Sequence, residues 1–115
     1  NCLGFRFDFK GKSFVFSGDS GICDGMKLLS KDADLLIHWC YRMSYENKFP
    51  MVTEKSPSAI EIANMAGKSG VKKLLLTHMR THMDEDKNQL QMKQELKDNF
   101  DGIAGIAEDL MKIEL

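Results

Sequence analysis

Two short apolar runs constrain the fold of this sequence more than any other feature. Ala33–Ile37 has no polar alternation, and Val71–Thr77 contains three leucines in succession. Runs of this kind are typical of strands that are buried on both faces of a sheet. Helical patterns alternate with them along the chain, so the sequence predicts a layered α/β domain with a mixed sheet.

Local patterns predict the remaining secondary structure. Phe5, Phe7 and Phe9 alternate with charged residues, a glycine turn follows, and a second strand continues from Phe14, which predicts a β-hairpin. The other predicted elements are a helix at Gly25–Lys31, a helix that Ser56 caps and that Gly67 and Gly70 stop, a polar helix at Met83–Phe100 with Leu90, Met92 and Leu96 as its apolar stripe, and closing strands at Ile103–Ala107 and Leu110–Leu115. Together they predict one domain, residues 1–115, in which helices flank a mixed β-sheet.

Charge and composition exclude several classes of function. Sixteen basic and seventeen acidic residues give a net charge of -1 without a block of either sign, so charge does not indicate a nucleic-acid partner. The apolar runs are far shorter than the ~20 residues of a membrane span, and we expect neither a membrane segment nor a signal peptide. The three cysteines have no C-x-x-C spacing, which favours reduced thiols in the cytoplasm.

Two residues stand where a sheet can present them to a ligand. Asp19 follows the second hairpin strand in a glycine-flanked turn, and His78 follows the leucine-rich strand. Both residues follow the carboxyl end of a strand, so their side chains can point into the crevice at that edge of the sheet, where α/β sheets bind ligands. Each residue alone is more often structural, because Asp beside Gly is a common turn residue.

The order of several motifs resembles one known family. The stretches that carry the resemblance are Phe14–Ser20, Ala33–His38, Ser56–Ala59 with Ala63 and Ala66, Gly70–His78 and Ile106–Leu110. In sequence and spacing they resemble the metallo-β-lactamase fold family, in its branch of small hydrolases related to the transfer-RNA-processing endoribonuclease Z and the arylsulfatase-like enzymes. The resemblance covers nearly the whole chain, which corresponds to the C-terminal half of a family domain, one half of its αββα sandwich.

The resemblance implies a metal-dependent hydrolase. By the family's pattern, Asp19 bridges two divalent metal ions, zinc or a similar dication, and His78 ligates one of them. A metal lowers the pKa of bound water to ~7, so a metal-bound hydroxide is the expected nucleophile toward an ester, thioester or phosphodiester bond. The implied partner is a small-molecule or phosphodiester substrate.

The sequence departs from the family at two places. The family's His-x-His-x-Asp-His loop and a further histidine precede the part represented here, so we expect this chain to be a fragment that is inactive alone. Where the ribonuclease-like branch carries a histidine, the chain has Glu54 and Lys55. Glu54 is a candidate acid or base in place of that histidine, and a solvated loop carboxylate is the alternative.

Other features have simpler interpretations, and one alternative function stays open. We interpret His38 as a packing histidine and His82 as a surface histidine. Gly18-Asp19-Ser20 resembles the nucleophile motif of some serine hydrolases, but the chain lacks the late Asp-x-x-His that these enzymes need.

The irregular Trp39–Lys55 segment is the candidate lid over a substrate or dimer interface. The alternative to a hydrolase is a non-catalytic binding or oligomerisation module, for which we expect a homodimer or a missing N-terminal half to cover the sheet.

Overall fold

Strands and helices alternate along the chain in the computed structural model, which describes residues 2–46 and 56–115. The elements are β1 (Phe5–Phe9), β2 (Lys12–Phe16), α1 (Asp24–Ser30), β3 (Leu35–Trp39), α2 (Ala59–Lys68), β4 (Lys73–Thr77), a 3-10 turn (Thr81–Asp84), α3 (Asp86–Asn99) and β5 (Ile103–Ile106). This order confirms the predicted α/β class. In the part of the chain described, no helix is both long and apolar enough to cross a membrane.

The sheet is mixed, as predicted, and its strand order follows the sequence, β1-β2-β3-β4-β5. β1 and β2 form the antiparallel hairpin, with Phe7 opposite Phe14. β2, β3, β4 and β5 run parallel to one another, so β3 lies between two parallel neighbours and Leu36 and His38 on it are fully buried. Because β2, β3 and β4 all run in one direction, the residues that follow them meet at the same edge of the sheet.

The two faces of the sheet are unlike each other. One face contributes the buried residues Val15, Leu36, Leu74 and Leu76 to a core that the helices complete with Ile62, Ala63, Ala66, Met92 and Leu96. The opposite face, which we call the aromatic face, carries Phe5, Phe7, Phe9, Phe14 and Phe16 on the hairpin. Phe9 is 72% exposed and Phe7 is 51% exposed, although Phe7 stacks on Phe14 at 4.7 Å. The helices therefore cover only one side of the sheet.

The start of α2 differs from the prediction. The helix is capped by Ser58, two residues after the predicted Ser56, and the backbone N–H of Ser58 donates to Glu61 Oε2 at 2.7 Å. A capping box needs its acidic residue three positions after the cap, and Glu61 has that spacing only from Ser58. Gly67 lies inside the last turn, so Gly70, at φ 74°, follows the actual end of the helix.

Two predictions about the C-terminal part are wrong. Leu90 is 68% exposed, while α3 buries Asn88, Met92 and Leu96, because residues four apart share a helix face and Leu90 is two positions away from it. The strand predicted at Leu110–Leu115 does not form, since β5 is the last strand among the described residues. Leu110 has a left-handed φ of 62°, which interrupts the extended backbone that a strand requires.

Candidate functional site

The two residues singled out in the sequence meet at the carboxyl edge of the sheet. Asp19 lies in the turn after β2, and His78 directly follows β4. His78 Nδ1 is 2.8 Å from Asp19 Oδ1, although 59 residues separate the two in the chain. Their side chains are 58% and 63% exposed, so the pair faces solvent and is open to a ligand.

Left-handed backbone at both strand ends places this pair. Gly18 has a φ of 54°, and a Cβ at this position would lie 2.5 Å from the carbonyl oxygen of Leu3. His78 also has a positive φ, 52°, which costs a non-glycine residue about 1–2 kcal/mol. Strain of this kind persists only where the surroundings hold it, and it concentrates at functional sites. The turn before Asp19 needs glycine, whereas His78 adopts the left-handed backbone although it is not a glycine.

Trp39 ends β3 between the two strands that lead to the pair. Its indole Nε1–H donates to the carbonyl oxygen of Ser20 at 2.7 Å, and its backbone N–H donates to Ser17 Oγ at 3.0 Å. The centroid of its ring is 6.2 Å from that of His78 and 5.3 Å from that of Tyr41. Trp39 is 9% exposed and ends a strand, so it belongs to the sheet and not to the candidate lid.

A second polar cluster follows His78 along the chain. The Arg80 guanidinium donates to both carboxylate oxygens of Glu46 at 2.6 Å and to the carbonyl oxygen of Tyr41 at 2.7 Å. Burial opposes ionisation of Glu46, but the Met43 N–H and Arg80 together hold the pKa of that carboxyl below its usual range. His82 Nε2 lies 3.3 Å from Glu46 Oε1. The cluster fixes the segment after His78 against the segment after β3.

The interior holds two titratable groups beside the site. His38 is fully buried, with Nδ1 2.8 Å from the carbonyl oxygen of Trp39 and with no hydrogen-bond partner for Nε2 in the described parts of the chain. Burial lowers the pKa of His38 to about 4, against the opposing effect of that carbonyl. His38 therefore lies in the packed interior, and the interpretation of it as a packing residue rather than a ligand stays a prediction. Burial also raises the pKa of the Cys40 thiol to about 12.

The described residues include only part of the predicted site. Within residues 2–46 and 56–115, no group of three or more His, Cys, Asp and Glu side chains could hold a metal ion. Glu54, the candidate acid or base, lies outside the described residues, as does most of the candidate lid. The contacts of Trp39 and Arg80 had no signal in the sequence, because they depend on which strand ends become neighbours.

Solved structures define the class to which this fold belongs. The chain is similar to the metallo-β-lactamase fold protein YhfI from Bacillus subtilis, with a TM-score of 0.74 and 27% identity over 91% of this chain and 41% of YhfI. It is also similar to the short form of human tRNase Z, with a TM-score of 0.63 and 25% identity over 96% of this chain and 37% of that protein. The fold of this chain is therefore similar to part of the metallo-β-lactamase fold.

Within that class the sequence is similar to ribonuclease Z. It is 36% identical over 110 residues to ribonuclease Z from Methanosarcina acetivorans and 37% identical over 106 residues to that from Gemmatimonas aurantiaca. These matches cover 91% and 92% of this chain but 33% and 32% of the relatives, so the chain spans about a third of their length. No protein-family model matches the chain. The matches confirm the resemblance inferred from the sequence, to part of a metallo-β-lactamase-fold hydrolase.

Proposed function

We propose that this chain supplies two metal ligands, Asp19 and His78, to a metal-dependent hydrolase that cleaves a phosphodiester bond in RNA. The observation that carries the proposal is the 2.8 Å approach of these two side chains at the carboxyl edge of the sheet. The similarity to proteins named ribonuclease Z supports RNA as the substrate class, and the name of human tRNase Z favours a transfer RNA. Ester and thioester substrates have no such support.

The donor atoms of the pair fit a divalent metal ion. Carboxylate oxygen and imidazole nitrogen both suit zinc, which binds them at about 2.0–2.2 Å with tetrahedral geometry. Two such ligands lie about 3.3 Å apart. The observed 2.8 Å is shorter by about half an ångström, which a small rotation of two exposed side chains provides. When bound, the metal would lower the pKa of a water molecule and polarise the phosphoryl oxygen.

Residues of this chain orient the donors and leave them accessible. Asp19 and His78 hold each other by their hydrogen bond, which fixes the plane of the imidazole before a ligand arrives. Their exposure of more than half leaves room for a phosphate group on the solvent side. Arg80 is occupied by Glu46 and Tyr41, so its contacts support the segment after His78 and do not point to phosphate binding.

Two ligands are too few for a catalytic metal site, so the remaining donors must come from outside the described residues. Catalytic zinc sites use three protein ligands and one open position. We propose that a further segment of a longer protein, or a second copy of this chain, covers the aromatic face and brings those donors to the same edge. The exposure of Phe5, Phe7 and Phe9 supports this, since apolar patches of this kind mark protein interfaces. The free cysteines fit a cytoplasmic protein.

A chimeric enzyme tests the proposal. The 110 matching residues of the Methanosarcina acetivorans ribonuclease Z are replaced with this chain, and cleavage of a transfer-RNA precursor is measured with added zinc or manganese. Asp19→Asn and His78→Gln should each reduce kcat at least a hundredfold, since even the partners of metal ligands are worth roughly 10–100-fold. His82→Gln is the matched control, four positions further on, and should stay within about threefold of the unsubstituted chimera by the same reasoning.

Each outcome of that assay has a distinct meaning. Full activity of both variants would show that the pair is not the metal site. A chimera that is folded but inactive would favour the alternative function, a binding or oligomerisation module, for which the uncovered aromatic face is the supporting observation. Sedimentation analysis of the 115-residue chain then distinguishes a stable homodimer from a monomer that awaits another chain.

A further inference from the structure

The residue that ends β3 has to lie beneath the Asp19–His78 pair. β3 separates β2 from β4, and neighbouring strands are about 4.8 Å apart, so the backbones that carry the two residues are about 10 Å apart. The side chains reach each other across the end of β3, where Trp39 stands. We propose that Trp39 is a positioning residue that holds Asp19 and His78 beside each other, close to the separation that two ligands of one metal ion require. The inference rests on the proposed function.

Trp39 holds the turn that carries Asp19 by two hydrogen bonds. The indole N–H donates to the carbonyl oxygen of Ser20, the residue after Asp19, and the backbone N–H donates to the hydroxyl of Ser17, two residues before Asp19. The Ser17 hydroxyl in turn donates to the carbonyl oxygen of Gly18 at 2.8 Å. Both ends of the turn are thus attached to one residue. These bonds are shielded from water, because Trp39, Ser17 and Ser20 are all buried.

Trp39 also borders His78. The two ring centroids are 6.2 Å apart with an interplanar angle of 43°, within the range of tilted aromatic pairs. The next residue, Cys40, donates its backbone N–H to the carbonyl oxygen of Thr77 at 2.9 Å, directly before His78. His78 has strained backbone and a side chain that is 63% exposed. The indole therefore provides a fixed surface against which an otherwise exposed imidazole is oriented.

A tryptophan at this position can contact the Asp19 turn and His78 at the same time, which a smaller residue cannot. Its polar N–H and its ring reach in different directions, to the Asp19 turn and to His78, and it has few rotatable bonds. Loss of the indole N–H should loosen the Asp19 turn, while loss of the whole ring should also release His78. Residues that orient metal ligands by contacts to them typically contribute 10–100-fold to metal affinity. The Trp39 variants should therefore lose zinc affinity by a factor of this size.

The test separates the N–H from the ring. Trp39 is the only tryptophan in the sequence, so global replacement of tryptophan by 3-benzothienylalanine changes this position alone and removes the N–H while it keeps the shape. Trp39→Phe and Trp39→Leu complete the series, with Tyr45→Leu, an exposed aromatic residue elsewhere, as the control. Zinc ions alone are titrated by calorimetry, and the imidazole Nδ1–H signal of His78 is followed by NMR without metal.

We expect the benzothienyl protein to bind zinc at least tenfold more weakly than the unsubstituted chain and to lose the Nδ1–H signal. Tyr45→Leu should match the unsubstituted chain in both. The inference is overturned if the benzothienyl protein and Trp39→Phe keep both the signal and a zinc Kd within twofold, since Trp39 would then be packing only. If the unsubstituted chain binds no zinc without the further donors, the NMR comparison alone decides whether Trp39 positions the pair, and the metal site is tested by the chimeric enzyme.

Discussion

His38 should make the stability of this protein sensitive to mild acid. Its imidazole is fully buried, and burial lowers its pKa from 6.5 to about 4. In the unfolded chain the same ring gains a proton at about pH 6.5. Between these two pH values the unfolded state binds more protons than the folded state, so the free energy of unfolding must fall as the pH falls. The stabilisation is complete above pH 6.5 and is lost by about pH 4.

The magnitude follows from the size of the shift. Each pKa unit corresponds to about 1.4 kcal/mol, so a lowering from 6.5 to about 4 amounts to roughly 3 kcal/mol over the full range. Between pH 7 and pH 4.5 most of this is expressed, about 2–3 kcal/mol. Asp34 does not titrate between pH 7 and pH 4.5. A hydrogen bond from Lys72 and another from the Ser13 N–H lower the pKa of its carboxyl to about 2.

Urea unfolding of the 115-residue chain at pH 7, 6, 5 and 4.5 measures the effect. His38→Asn removes the titrating ring and keeps a donor near the Trp39 carbonyl, so its free energy of unfolding should be lower at pH 7 but nearly flat across the window. His82→Asn, which replaces a histidine outside the core, should retain the slope of the unsubstituted chain. Equal slopes for His38→Asn and the unsubstituted chain would refute the argument that burial keeps His38 neutral.

Three further predictions concern contacts that hold the fold together. Arg42→Ala breaks the ion pair between Arg42, which is 4% exposed, and Glu61, and it should reduce the free energy of unfolding in urea by about 2–4 kcal/mol. The loss is smaller than for a fully buried pair because Glu61 is partly exposed. Lys27→Ala, which breaks an exposed pair with Asp24, should cost under ~0.5 kcal/mol. In a thiol-reactivity assay the two exposed cysteines should react within minutes, while Cys40, buried and with its pKa raised to about 12, should react only after urea is added. Gly18→Ala should lower the melting temperature and should reduce the free energy of unfolding by about 2 kcal/mol or more, because Gly18 has a φ of 54° and the new Cβ would meet the carbonyl oxygen of Leu3. An unchanged melting temperature would contradict the turn described at Gly18.

The sheet could be predicted because its strands differ from one another in sequence. The apolar runs of β3 and β4 mark them as strands, although β4 buries only alternate residues and not both faces as predicted, and the alternation of Phe5, Phe7 and Phe9 sets one face of β1 apart from the other. The errors arose where a local signal competes with a longer-range one. Ser56 and Ser58 are both good caps, and only the position of Glu61 decides between them. The apolar residues after Leu110 resemble a strand, but among the described residues they pair with no neighbouring strand.

The candidate site could be predicted only to the level of the strand ends. Asp19 and His78 each follow a predicted strand, and once β2 and β4 run parallel on either side of β3, their approach follows from the topology. The sequence places Trp39, the residue between them, in the candidate lid, because the aromatic residues after Ile37 lack a clear period. The strand order decides which side chain lies between two strand ends. The sequence contains no local signal for that order, so the position of Trp39 could not be predicted.

The proposed partner layer would explain both the exposed aromatic face and the metal ligands that the proposed site still requires. The face that carries Phe7 and Phe16 also carries Ile37 and, at its carboxyl edge, Trp39, because paired residues in adjacent strands share a face. A partner layer packed there would therefore end next to the turn that carries Asp19, where donors are still needed. A partner placed on the helices would reach neither the phenylalanines nor the pair. Replacement of Phe7 by a lysine should for this reason weaken partner binding and zinc affinity together in the proposed assembly, whereas a lysine at exposed Leu90 on α3 should change neither.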